Sequence, residues 1–120
     1  MKITERQAGD ITILDVEGRL LFGDGEEEFR DAVTKVIESG RVMLVLNLGQ
    51  VPYVDSAGIS QLVRTFATVG KRGGRVKLLH LTRRVKELLT ITRLLTLWES
   101  FDSEQKAVES FGGASGSSQP

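Results

Sequence analysis

Between Arg41 and Leu48 the chain is almost uninterruptedly apolar, and no other stretch constrains the fold as much. The run Val42-Met43-Leu44-Val45-Leu46-Asn47-Leu48 reads as a central strand, and such a strand needs cover on both faces of its sheet. It continues through Gly49-Gln50-Val51-Pro52-Tyr53-Val54 to Asp55-Ser56-Ala57-Gly58. There a helix begins, with Ile59, Leu62, Val63, Phe66 and Ala67 at helical spacing. A buried strand thus runs through a short loop and delivers one serine to a helix N-terminus. Backbone N–H groups are unpaired there and the macrodipole favours negative charge, so the position suits a phosphate on Ser56. The plainer alternative is that Asp55 or Ser56 is simply the N-cap.

The flanking sequence extends the same α/β pattern. Ile3 to Arg6 and Ile11 to Glu17 read as strands, joined by the turn signal Gly9-Asp10 into an antiparallel hairpin. After the glycine-bearing loop Arg19-Leu20-Leu21-Phe22-Gly23-Asp24-Gly25, a helix carries Phe29, Ala32, Val33, Val36 and Ile37 on one face. Asp24 is its expected cap, Glu26, Glu27 and Glu28 satisfy its dipole, and Gly40 ends it. Gly70, Gly73 and Gly74 close the helix after Ser56, and Arg75 to Leu81 alternates like a strand that includes His80. Thr82 caps a third helix facing inward through Val85, Leu88 and Leu89. Leu97 to Phe101 reads as a short strand containing Trp98, an ordinary core or edge aromatic or, alternatively, part of the lining of a partner surface. A last helix follows, with Asp102 and Gln105 at capping-box spacing. The expectation is a mixed sheet of four or five strands with about four helices, parallel in its middle. The domain spans residues 1–111, and residues 112–120 form a flexible Gly/Ser-rich tail.

At 120 residues there is room for one core. No run approaches the roughly eighteen apolar residues of a membrane span, so membrane insertion is not expected. Residues 1–6 lack the apolar centre of a signal peptide. Cysteine is absent, which removes disulfide and thiolate chemistry and fits a cytoplasmic protein. The formal net charge is zero, giving no general attraction to nucleic acid. The charge is unevenly spread, however. Between Ser56 and Trp98 the sole acid is Glu87 among many basic residues, while Asp24, Glu26, Glu27, Glu28 and Asp31 cluster earlier. That asymmetry is either a solvated face or a means of steering an acidic partner.

Catalytic constellations fail. His80 is the only histidine, and no signature links it to Ser56 as a base. Val54-Asp55-Ser56-Ala57-Gly58 is not a nucleophile elbow. The glycines match neither a dinucleotide nor a Walker spacing, and one histidine without thiols is a poor metal set. No catalytic, cofactor or metal residue is therefore assigned, and the chain reads as a binding protein rather than an enzyme. Ser56 is left as a residue acted upon.

The apolar strand, the loop with its aromatic, Asp55-Ser56-Ala57-Gly58 and the following helix resemble the STAS domain. More narrowly, they are similar to the small bacterial anti-sigma-factor antagonists, over residues 1–111 and including Val16-Glu17-Gly18-Arg19-Leu20. The resemblance implies an antagonist that binds an anti-sigma factor while unphosphorylated. That partner, itself a serine kinase, phosphorylates Ser56 and releases the antagonist, and a PP2C-type phosphatase resets it. ATP would belong to the partner, and no cofactor to this chain.

On the same resemblance, Tyr53, Val54, Asp55, Ser56, Ala57 and Gly58 form the partner surface, with Phe22 and Asp24 from the early loop; the alternative for Tyr53 and Val54 is that they seal the core, and for Phe22 that it is buried. Ala57 replaces a second hydroxyl found in many relatives, leaving Ser56 the sole acceptor of the motif. An acid that relatives place early in the loop gives way here to Leu21-Phe22, with Asp24 later. For Asp55 the readings are helix cap or orientation of the hydroxyl. For Gly58 they are approach by another backbone or packing on its own sheet. The alternative function is a STAS interaction subunit of a stressosome or transporter ATPase, without a serine switch.

Overall fold

A computed structural model describes residues 1–116. β1 (Lys2–Ala8) and β2 (Ile11–Glu17) form the expected hairpin, in register from Lys2 opposite Glu17 to Ala8 opposite Ile11. α1 (Glu26–Glu38) crosses to β3 (Met43–Gln50), and α2 (Ser56–Lys71) to β4 (Arg75–Leu79). α3 (Arg83–Ile91) and a 3-10 turn over Leu95–Leu97 lead to β5 (Glu99–Phe101), and α4 (Glu104–Gly116) follows. The strands lie in the order β1-β2-β3-β4-β5, with every pair after the hairpin parallel. Parallel neighbours need a crossover, and α1, α2 and α3 supply three of them. No helix among the described residues is long and apolar enough to cross a membrane.

The apolar run does face two ways. Leu44, Leu46 and Leu48 of β3 join the cluster that holds Phe29, Val33 and Val36 of α1, Leu62 and Val69 of α2, and Val85 and Leu89 of α3. Val45 points to the opposite face, where Ile11, Ile13 and Leu79 meet Ala107 and Phe111 of α4. Period-two alternation inside one apolar strand therefore builds both cores.

The α4 face also carries charge. Arg6 reaches Asp15 at 2.6 Å and Glu104 at 2.7 Å, and Asn47 donates to Asp15 at 2.9 Å. The Arg6 guanidinium holds both carboxyls below their usual range. Lys77 is only 2% exposed, yet its Nζ lies 4.7 Å from the centre of the Phe111 ring and 2.8 Å from Glu99 Oε1. A buried ammonium is tolerated because ring and carboxylate replace the water it loses.

Several local expectations give way. α2 is rotated: Val63 and Ala67 are exposed, while Gln61 and Thr65 turn inward beside Ile59, Leu62 and Val69. Both buried polar groups are satisfied, Thr65 by the Gln61 carbonyl at 2.8 Å and Gln61 by Glu26 at 3.2 Å. His80 is not within β4; it follows the strand, exposed, at φ 56. Gly25 rather than Asp24 precedes α1, in a left-handed conformation and without a side-chain cap. Ser103 caps α4 by accepting from the Lys106 N–H at 3.3 Å, so the Asp102–Gln105 box does not form, and Gln105 bonds Glu109 instead. α4 continues to Gly116, past the boundary expected at residue 111; residues 117–120 of the expected tail lie outside the described residues.

Phe111 seals the second core and covers Lys77 at once. Phe111→Ala should cost about 3–5 kcal/mol, as large aromatic truncations do. Urea unfolding of the two proteins measures it, and a loss under 1 kcal/mol would mean that α4 contributes little.

Candidate functional site

The first turn of α2 is organised by one carboxylate. Asp55 is the N-cap: its Oδ1 accepts from the Gly58 N–H at 3.0 Å, the geometry of a capping carboxylate. Its Oδ2 accepts from the Phe22 N–H at 2.9 Å, thirty-three positions away in sequence. The helix start and the early loop are thereby clasped together. Of the two readings of Asp55, the structure has it as the cap.

The early loop comes to this place because residues 18–20 keep pairing with the chain that leaves β3. Gly18 N–H donates to the Gln50 carbonyl at 3.0 Å and Leu20 N–H to the Tyr53 carbonyl at 3.0 Å. Leu20 and Val54 form a parallel bridge. A tight turn closed by reciprocal bonds between Leu21 and Asp24 then puts Phe22 at its tip, 80% exposed. Gly58 makes the approach possible, since a Cβ there would collide with the Leu20 carbonyl oxygen and with Val54 Cγ1. The crowding at this glycine comes from the chain's own fold, as the packing reading had it.

Ser56, the first residue of α2, is exposed. Asp55 already does the capping, and the Ser56 hydroxyl has no hydrogen-bond partner among the described residues. Tyr53, 47% exposed, lies three residues earlier in the chain, with the Arg84 guanidinium 5.1 Å from its ring centre. Phe22, Tyr53, Asp55 and Ser56 are thus brought into one region. Of the two readings of Val54, the structure has the core one: it is buried in the main core, where it bridges Leu20. Gly58 is buried and Ala57 half-buried, so neither offers much contact surface. Asp24 lies in the turn but pairs with Arg19 at 2.9 Å.

Arg84 had no signal of its own within the basic run. The clue was topological, since β3 and β4 are parallel neighbours and the loops after them emerge at one edge. The Thr82 hydroxyl fastens those loops by donating to the Val51 carbonyl at 3.0 Å.

The N–H groups of Phe22 first, then Gly58, hold the Asp55 carboxyl below the usual carboxylate range. A depressed folded-state pKa gives stability that is full above the unfolded value of about 3.9 and is lost as pH falls through the folded one. Asp55→Asn keeps one acceptor oxygen and must forfeit one of the two bonds. It should cost about 1 kcal/mol at pH 7 and flatten the loss of stability between neutral and acid pH. Denaturant titrations at pH 7 and pH 3 test this, the remaining slope coming from Asp15 and Glu104. Gly58→Ala gains helix propensity of roughly 1 kcal/mol but drives a methyl into the Leu20 carbonyl, so a net loss of about 1–3 kcal/mol should appear in its thermal midpoint.

The family model described as the STAS domain matches residues 2–107. The anti-sigma-B factor antagonist of Bacillus subtilis (strain 168) is 37% identical over 65 residues, 54% of this chain and 59% of that protein. The chain thus aligns with little more than half the length of this curated relative. Among solved structures, a candidate anti-sigma factor antagonist of Thermotoga maritima superposes with TM-score 0.84 at 21% identity, over 90% of this chain and 92% of that one. The Bacillus anti-sigma factor antagonist SpoIIAA has been solved phosphorylated and unphosphorylated. Both forms match with TM-score 0.71, at 15% and 16% identity, over 92% and 93% of this chain and 99% of theirs. A sulfate transporter family protein of Wolinella succinogenes matches with TM-score 0.70 at 23% identity, over 83% of both chains. At such identities the structural likeness concerns the fold: one mixed sheet of five strands with four helices. The profile covers most of the sequence and the architecture agrees with it, and on these grounds the chain belongs to the STAS domain family.

Proposed function

We propose that this chain is an anti-sigma-factor antagonist whose binding is switched off by phosphorylation of Ser56. One observation carries the reading: an exposed, unpartnered hydroxyl opens α2 where another residue already supplies the cap. A structural serine at a helix start is ordinarily used as the cap. This one is spare; the preceding residue, Asp55, bonds the backbone of the exposed Phe22, and the exposed Tyr53 lies three residues back in the chain. The names of the B. subtilis relative and of SpoIIAA support the same assignment.

In this reading the unmodified surface around Phe22, Tyr53 and Ser56 docks on an anti-sigma factor with serine kinase activity. The kinase removes the Ser56 proton, Oγ bonds the γ-phosphorus of ATP, and the bond to ADP breaks. The product carries roughly −1.5 to −2 charge at the helix N-terminus. The macrodipole accepts it, so the fold persists and the cost falls on the interface. The Asp55 carboxylate next in sequence adds negative charge there, which any docked surface must also accommodate. A penalty of about 3 kcal/mol weakens a complex more than a hundredfold. Hydrolysis by a PP2C-type phosphatase restores the hydroxyl.

The test is intact mass after incubation with source-cell extract and ATP. Wild type should gain one phosphate, Ser56→Ala none, and Ser56→Asp should bind the isolated partner about a hundredfold more weakly by calorimetry. If the extract phosphorylates a control substrate but leaves the wild type unmodified, the serine switch is wrong and a switchless STAS interaction subunit takes its place.

A further inference from the structure

The outward side of α3, apart from Arg84 over Tyr53, lies outside the region of Ser56. Val85 and Leu89 face the core, which turns Arg83, Lys86, Glu87, Thr90 and Ile91 outward around a shallow depression of about 570 Å³. Ile91 sits there 77% exposed, next to the end of the helix. Arg84 is turned to Tyr53 and belongs to the Ser56 side, which leaves three cations, Arg83, Lys86 and Arg93, against the single carboxylate Glu87, a net charge of +2 in a chain whose total is zero. Glu87 is itself 3.9 Å from Arg83, so it does not neutralise the others.

The helix also ends in an unusual way. Arg93 N–H donates to the Thr90 carbonyl at 3.1 Å and Leu94 N–H to the Leu89 carbonyl at 2.8 Å, the paired bonds of a Schellman motif. Its left-handed position is normally glycine, yet here it is Arg93 at φ 62. A β-carbon in that conformation is disfavoured, and the side chain it carries ends up exposed. Glycine would serve the fold better at 93 and a polar residue would at 91. Both departures fall at the same end of one short helix.

We propose that the outer face of α3, from Arg83 to Arg93, is a second docking surface, for an acidic protein segment that carries an apolar side chain to cover Ile91. Charge complementarity selects the acidic partner, and Ile91 supplies the desolvated centre that such interfaces need. A lipid surface fits less well, because one apolar side chain on a nine-residue helix inserts too little area.

A fluorescent sixteen-residue peptide of Glu, Ala and Leu, with leucines four residues apart, is the probe for the full chain. Saturable, salt-sensitive binding should shift the backbone amides of Lys86, Thr90, Ile91 and Arg93. Ile91→Ser and Lys86→Glu should each weaken it by about tenfold, and Ser56→Ala should leave it unchanged. Arg93→Gly separates the proposal from a structural role: it should raise the thermal midpoint and weaken peptide binding together. The proposal is overturned by absent binding, by amide shifts elsewhere, or by unchanged affinity in Arg93→Gly. Equal or tighter binding of phosphatidylglycerol vesicles or of a single-stranded oligonucleotide through the same residues would also overturn it.

Discussion

Asp55 holds the start of α2 and the early loop together. Its two oxygens stop two different backbone N–H groups, one in the helix it caps and one in a loop from the other side of a strand. The clasp needs an uncrowded first turn, which Gly58 provides by letting the Leu20 carbonyl come close. Phe22 is thus displayed on a turn that is tethered at its own backbone, and Ser56 stands in the first position of a helix already capped. A carboxylate that accepts two N–H bonds is both anchored and kept ionised, so geometry and charge at this corner are set by the same contacts.

The sheet divides its labour between two faces. Three helices bury one face in a large aliphatic core, and that packing fixes where the loops after β3 and β4 emerge. The other face has a single helix, and polar contacts share the work there: Arg6 between two carboxylates, and Lys77 among Phe101, Phe111 and Glu99. Ion pairs that are partly exposed contribute modestly. The attachment of α4 therefore depends mainly on Phe111 and Ala107, and the charges set its position. The loops after β3 and β4 thus share one edge, which carries Tyr53, Ser56 and Arg84 and is backed by the larger of the two cores.

Much of this was legible in the chain itself. The apolar run of β3, the Gly9-Asp10 hairpin, the periodicity of α1 and α3, and the Thr82 cap are all encoded within a few residues of where they act. Local signals misled where a partner lay far away. The inward face of α2 includes Gln61 because Glu26 of α1 is there to accept its bond. Asp24 looked like a cap, yet Arg19 holds it and Gly25 takes the turn.

By itself, then, the sequence determined the class of fold, the order of its elements and the placing of Ser56 at the start of a helix. Periodicity and turn chemistry are properties of neighbouring residues, and a single chain displays them in full. Only the tertiary structure decided that Val54 is buried, that Phe22 is held by Asp55, and that Arg84 lies over Tyr53. Those contacts join residues some thirty positions apart, and they exist only once parallel pairing has brought successive loops to one edge of the sheet.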